Sequence, residues 1–193
     1  MYKAVILTGI KHCGKSTQGK LLAEKFKCSF YDTDNIITNI TGQSPRQIYT
    51  NLGVEAFIKA EIDACVFLEN KIVQESFAVV ATGGGICNNN EALKILSKMG
   101  PILFMESSEK VAINRIINEI VYVDGKMTEL PAYIAKYNPI TEDDVKKIFS
   151  EFYKDRCKKY RELAQIVCKM KNAPIPENNE ILIKALKEYG FNF

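Results

Sequence analysis

The segment Thr8-Gly9-Ile10-Lys11-His12-Cys13-Gly14-Lys15-Ser16-Thr17 limits what this chain can fold into more than any other. It fits G-x-x-x-x-G-K-[ST] at every fixed position. The apolar run YKAVIL precedes it, and STQGKLLAEKF, with Leu21, Leu22 and Phe26 on one side of a helix, follows it. Each fixed residue type has a physical reason. Glycines let the backbone wrap closely around phosphate oxygens. Successive N–H groups then point inward and bind anions, at the start of a helix that favours negative charge. The segment therefore predicts a cradle for the phosphates of ATP, built from Gly9, Lys11, His12, Cys13, Gly14, Lys15, Ser16 and Thr17. Lys15 is placed to reach the β- and γ-phosphates, and Ser16 to offer a hydroxyl to Mg²⁺. His12, the only histidine, reads as a loop-surface residue rather than a catalytic base.

Strand and helix patterns alternate along the remainder. CSFYDTD, FAVVATGGG, PILFMES and AQIVCKM are short strands after the first, KAVILTG. Residues 34–70 read as mainly helical, broken near Gly42–Pro45 and again near Asn51–Gly53. NNEALKILSKMG, SEKVAINRIINEI, TEDDVKKIFSEFYKDRCKKYRELA and PENNEILIKALKEYG complete the helices, the third opening on a capping-box-like Thr141 and Asp144. Residues 119–141 fit no clean period and read as a loop or lid. The order predicts a three-layer α/β fold of the P-loop NTPase type: five parallel strands, helices on both faces and a lid. At 193 residues and 47% hydrophobic, the chain suits one domain spanning 1–193. That domain includes a substrate-binding helical region at about 34–70 and the lid at about 119–141.

Other features narrow the function classes. A formal charge of +3 is too small to imply a nucleic-acid partner without a concentrated basic stripe, and KDRCKKYR and KFK read as solvated helix faces. The six cysteines form no CxxC pair and no metal spacing, so they read as small buried hydrophobes in a reducing compartment. No apolar run approaches the roughly 20 residues that span a bilayer, and the start of the chain has no signal-peptide pattern. A cytoplasmic, monomeric protein with no membrane partner is expected.

Ligands of an open parallel sheet collect at the carboxyl ends of its strands. The second strand ends in Asp32-Thr33-Asp34. One carboxylate can place Mg²⁺ while the other accepts a proton from an attacking hydroxyl; alternatively, Asp34 caps the following helix. The third strand ends in Gly83-Gly84-Gly85, which lets a ligand approach the backbone.

With these blocks in order, the chain resembles the shikimate kinase family. The resemblance rests on the phosphate loop, FYDTDNIITNITGQSPRQIYTNLGVEAFIKAE, VVATGGGI and DRCKKYRELAQIV, and covers nearly the whole length. It implies phosphoryl transfer from ATP to the shikimate 3-hydroxyl, with ADP as product and Mg²⁺ as cofactor. It also implies that Asp32 helps place Mg²⁺, and that Asp34 contacts the shikimate hydroxyls and acts as base. Gly84, flanked by Gly83 and Gly85, would touch the substrate, and Arg156, four residues before Tyr160, would bind its carboxylate. KMKNAPIP lies where the family places its adenine loop. Two departures stand out. Ile58 occupies the position of a second substrate-binding arginine, and the lid, DGKMTELPAYI, lacks the arginine that in the family reaches the nucleotide phosphates. Arg46 and Arg115 are arginines that could compensate. A kinase for a different polyol or hydroxy acid, or a nucleotide-binding regulatory protein on the same scaffold, are the rival readings.

Overall fold

The protein is described here by a computed structural model covering residues 2–191. The five apolar runs form one parallel sheet. Its strands are β1 (Ala4–Thr8), β2 (Ser29–Asp32), β3 (Ala78–Ala81), β4 (Ile102–Glu106) and β7 (Ile166–Lys169), in the order β2-β3-β1-β4-β7. In register, Ile6 of central β1 stands opposite Val80 on one side and Ile102 on the other. Strands covered on both faces have no solvent side, so β1 and β3 read as unbroken apolar runs and are wholly buried. At the edge, β7 alternates: Ile166 and Cys168 face the core, Val167 and Lys169 face water.

Helices complete the layers: α1 (Lys15–Phe26), α2 (Thr33–Thr41), α3 (Pro45–Ile72), α4 (Asn90–Met99), α5 (Glu109–Ile117), α7 (Glu142–Leu163) and α8 (Ile175–Glu188). On α7, Tyr160 is fully buried and stacks on Phe104 of β4, with ring centroids 5.2 Å apart. Burying each such side chain contributes about 1.5–3 kcal/mol. This anchor lies one helical turn beyond Arg156 and fixes the face on which Arg156 points inward.

The expected breaks fall where the sequence puts them. Gly42 (φ 71°) ends α2. Gly53, at φ 87° and ψ 178°, kinks α3, a conformation a side chain resists. Ser44 and Gln47 form a capping box at the start of α3, and Thr141 and Asp144 form one on α7, with aspartate in the position that usually favours glutamate.

The lid is more ordered than the sequence suggests. Within 119–141, β5 (Val121–Val123) pairs antiparallel with β6 (Lys126–Thr128), and α6 (Ala132–Ala135) follows. Asp124 and Gly125 take φ of 49° and 74°, the two positive angles a tight hairpin turn needs. Three-residue strands are too short to show a period, but the Asp-Gly pair is a hairpin signal. All six cysteines are free, and all but half-buried Cys28 are in the core. No helix among the described residues is long and apolar enough to cross a membrane.

Candidate active site

The phosphate loop joins the end of β1 to the start of α1, with Gly14 at φ 95° as the residue before the helix. Lys15 is only 8% exposed and donates to the carbonyls of Gly9 and Ile10, both at 2.9 Å. Above the loop lies a cavity of about 540 Å³, whose walls include Lys15, Ser16, Thr17, Asp32, Asp34 and Arg115. His12 is half-buried rather than on the surface, at φ 64°. Burial, then Lys11, Lys15 and Arg115, push its imidazole down to about 4, so it is neutral at pH 7. Its Nε2 stands 3.1 Å from Glu119, and its carbonyl accepts from Arg115.

At the end of β2, the carboxylate of Asp32 divides its work. Oδ1 accepts from the backbone N–H of Asp34 at 3.0 Å and caps α2, while Oδ2 accepts from Ser16 Oγ at 2.5 Å. The helix cap is therefore Asp32, and the Asp34 side chain is released toward the cavity. Burial and the Asp32 charge raise the Asp34 carboxyl, against Lys15 and Lys11. Ser16 and Asp32 thus bring together one hydroxyl and one carboxylate oxygen. That fits Mg²⁺, which takes one or two protein oxygens and completes its shell with phosphates and water. An all-protein cage is absent: no group of three or more His, Cys, Asp or Glu among the described residues could hold a metal.

The glycine triplet closes the arrangement by contact. The Gly83 N–H donates to Thr33 Oγ1 at 3.1 Å. A Cβ on Gly83 would sit 2.8 Å from Asp34 Oδ1, and one on Gly84 would sit 2.7 Å from the backbone nitrogen of Lys11. At Gly84, against rigid backbone, only hydrogen fits; at Gly83 a side chain would have to displace the Asp34 carboxylate.

A second cavity, about 320 Å³, opens beside the first and shares Lys11, Asp34 and Gly84 with it. Tyr49, Phe57 and Tyr133 give it apolar walls, and Arg46 and Arg156 give it charge. Arg156 is 7% exposed. Its Nη1 donates to the Gly84 carbonyl at 3.2 Å, its guanidinium lies 4.2 Å from the Tyr133 ring centroid, and its Nε has no partner. It forms no ion pair with any described carboxylate. The basic run KDRCKKYR is therefore solvated only in part, since Arg156 and Cys157 face inward. Arg46 pairs with Glu129 of the lid at 2.7 Å. Ile58 is not part of either cavity wall; its carbonyl accepts from Asn89 at 3.0 Å.

Glu61 is a buried acid that lines neither cavity but feels the charges of Asp34 and Arg156, which do. Asn89 Nδ2 donates to its Oε2 at 3.1 Å, and Oε1 has no partner. Burial pushes its carboxyl up to about 7 from 4.5, helped by Asp34 and opposed by Asn89 and Arg156. Between pH 4.5 and about 7 the folded chain holds a proton that the unfolded chain releases. Stability therefore falls as pH rises through that window, by roughly 3 kcal/mol in all. Glu61→Gln is expected to flatten this decline, with urea midpoints compared from pH 5 to pH 8. Parallel profiles for the two proteins would exclude Glu61 as its source.

Most residues the sequence put at the site line these two cavities; Gly9, Cys13 and Gly83 line neither. Gly83 and Gly9 serve as backbone contacts, and Gly85 and Arg156 lie in the second cavity. Reading the sequence assigned no role to Glu61, Thr33, Tyr49 or Tyr133, nor any to the side chain of Lys11. The glutamate ending GVEAFIKAE was the one available signal, a carboxylate on the inward face of a helix. A third cavity, about 180 Å³, shares Gly14, Thr17 and Arg115 with the phosphate cavity and is walled by Met170, Lys171 and Ala173. This is the KMKNAPIP segment, fixed by Asn178, whose Oδ1 accepts from Lys171 N–H at 2.8 Å.

Comparison with known proteins agrees with the geometry. The family model described as shikimate kinase matches residues 11–188. A shikimate kinase of Clostridium botulinum (strain Loch Maree / Type A3) is 28% identical over 185 residues, 96% of each chain. Shikimate kinase from Acinetobacter baumannii, solved in complex with shikimate, superposes with a TM-score of 0.76 at 20% identity, covering 100% of this chain and 97% of that one. A gluconokinase from Sinorhizobium meliloti 1021 shares the fold more distantly, with a TM-score of 0.57 at 12% identity over 96% and 92% of the two chains. Matched along almost its whole length by the family model, the chain belongs to the shikimate kinase family of ATP-dependent phosphotransferases that act on a hydroxyl group.

Proposed function

We propose that this protein phosphorylates shikimate at its 3-hydroxyl, with the phosphates of ATP on the loop at 9–17 and shikimate in the cavity between α3, the lid and α7. The observation that carries this reading is Arg156. A buried guanidinium with no anionic partner, in a pocket that shares Asp34 with the phosphate cavity, fits an acceptor bearing both a carboxylate and hydroxyls. The Acinetobacter relative's complex with shikimate supports the same choice.

In this reading Arg156 fixes the carboxylate, Gly84 and Gly85 let the ring approach the backbone, and Asp34 orients the hydroxyl and takes its proton. Lys15 turns from the loop carbonyls to the β- and γ-phosphates. Ser16 and Asp32 would hold Mg²⁺, which would supply positive charge to offset the phosphates. The third cavity suits the adenine. All of this belongs to one domain, in which 34–70 carries acceptor contacts and 119–141 closes over them. Six unpaired thiols suit a cytoplasmic location.

ADP formation from ATP and Mg²⁺ tests the proposal with four acceptors: none, shikimate, shikimate with its carboxylate reduced to an alcohol, and gluconate. Turnover with shikimate and its near loss with the alcohol are expected. Because Ile58 leaves a single buried arginine at the pocket, gluconate-dependent turnover alone would instead assign a different hydroxy acid. ATP binding without acceptor-dependent turnover would overturn both.

A further inference from the structure

The two cavities meet at Lys11, Asp34 and Gly84, and among the described residues Lys11 is the only cation that lines both. Lys15 and Arg115 line the phosphate cavity alone, and Arg46 and Arg156 the second cavity alone. Lys11 also differs in its partners. Lys15 bonds two loop carbonyls, Arg115 bonds the His12 carbonyl, Arg46 pairs with Glu129 and Arg156 bonds the Gly84 carbonyl. Among the described residues the Lys11 ammonium makes no hydrogen bond and no ion pair, although the side chain is half-buried. Its backbone is fixed, because its nitrogen lies against Gly84 where even a methyl would collide.

An unpaired ammonium that has lost part of its water is costly to keep unless an anion arrives. Asp34, Glu119, Arg46 and Glu129 all act on its charge, so it sits in the fields of both cavities at once. With the nucleotide phosphates in the first cavity and the acceptor in the second, the anion that would arrive at their junction is the phosphoryl group in transit. The lid supplies no rival: its basic residues Lys126 and Lys136 line neither cavity, and Lys136 lies over the Tyr137 and Phe152 rings.

We propose that Lys11, through its side-chain ammonium, is a further catalytic residue that binds the γ-phosphoryl oxygens during transfer, from the loop side, where no lid cation reaches. This rests on reading the second cavity as the acceptor site. In the step, the bond from γ-phosphorus to the bridging oxygen breaks and its electron pair leaves with ADP. The acceptor oxygen forms the new bond, and its proton passes to Asp34. Lys11 keeps its proton and offsets charge on the three transferring oxygens.

The test compares Lys11→Met, Lys11→Arg and a Lys126→Met/Lys136→Met double variant with the wild type. Three quantities are read: kcat with shikimate, the Kd of MgADP, and the Kd of MgADP with aluminium fluoride and shikimate, which mimics the group in transit. Lys11→Met is expected to lower kcat about 10²–10³-fold and to weaken the aluminium fluoride complex by a similar factor. MgADP affinity should stay within about 2-fold, since the lost interaction belongs to the transition state. Lys11→Arg should recover most of the rate, and the lid variant should behave as the wild type. Undiminished kcat in Lys11→Met overturns the proposal. So does an equal loss of MgADP and aluminium fluoride binding, which would mark a general role in the loop, and so does transfer of the defect to the lid variant. Should the wild type not use shikimate, the acceptor reading fails by itself. The same ratios measured on ATP hydrolysis, with water as acceptor and aluminium fluoride bound without shikimate, then decide for or against Lys11.

Discussion

Asp34→Asn is expected to lower kcat by about 10²–10⁴-fold, the range for a positioned general base, while ATP still binds. The substitution keeps size and shape, which matters because Asp34 Oδ1 would lie 2.8 Å from a Cβ on Gly83 and has almost no room to change. It leaves the Asp34 backbone N–H on Asp32 intact, so the pairing of Asp32 with Ser16 on the metal side stays in place. What disappears is the ability to accept a proton. Burial and Asp32 hold the Asp34 carboxyl above its ordinary value, so the wild-type group is a better base than a solvated aspartate. Steady-state kinetics with Mg²⁺ and shikimate check the prediction. A fall in kcat with little change in the KM for shikimate assigns Asp34 to the chemical step. A rise in KM at constant kcat would reduce Asp34 to a binding contact.

Much of this site was legible because its parts are local. Glycine spacing, Lys15 and Ser16 lie within one turn and one helix start, and their geometry follows from consecutive residues. Asp32-Thr33-Asp34 and the triplet at 83–85 were legible for a different reason: a parallel sheet brings all its carboxyl ends to one edge. The sequence offered Asp34 as a cap for α2, because a carboxylate just before a helical run suits that place. The backbone chose Asp32 and so freed Asp34. The hairpin of the lid escaped the periodicity because three residues cannot show one, although Asp124-Gly125 announced the turn. Lys11, Arg46, Glu61 and Tyr133 were harder. They come from the phosphate loop, α3 and α6; Lys11, Arg46 and Tyr133 converge on one cavity, and Glu61 is buried within reach of its Asp34 and Arg156 charges. Ile58 is the converse case. Its place in the sequence pointed to a lost clamp, and its side chain is in neither cavity lining.

Arg156→Met is expected to raise the KM for shikimate about 10²–10³-fold, the cost of removing one partner of a buried, hydrogen-bonded charge pair, with kcat much less affected. Methionine fills similar space and can still pack on Tyr133, whose ring lies 4.2 Å from the guanidinium. The effect on stability should run the other way. Without acceptor, Arg156 is a desolvated cation with one hydrogen bond at 3.2 Å, an unpartnered Nε and no carboxylate. Replacing such a group by an apolar one of similar volume removes a desolvation cost, so Tm should hold or rise. The opposed signs carry the argument. A residue kept for the fold would lower Tm when removed and leave KM alone, whereas one kept for an arriving carboxylate raises KM and spares the fold. Glu61 offers a second reading of the same variant. Arg156 is among the groups that hold its carboxyl down, so Arg156→Met should push Glu61 still further above 4.5 and steepen the loss of stability toward alkaline pH. Acceptor kinetics and urea midpoints on one variant therefore distinguish a binding arginine from a structural one. A lowered Tm with unchanged KM would return Arg156 to the core and leave the acceptor pocket without its anion site.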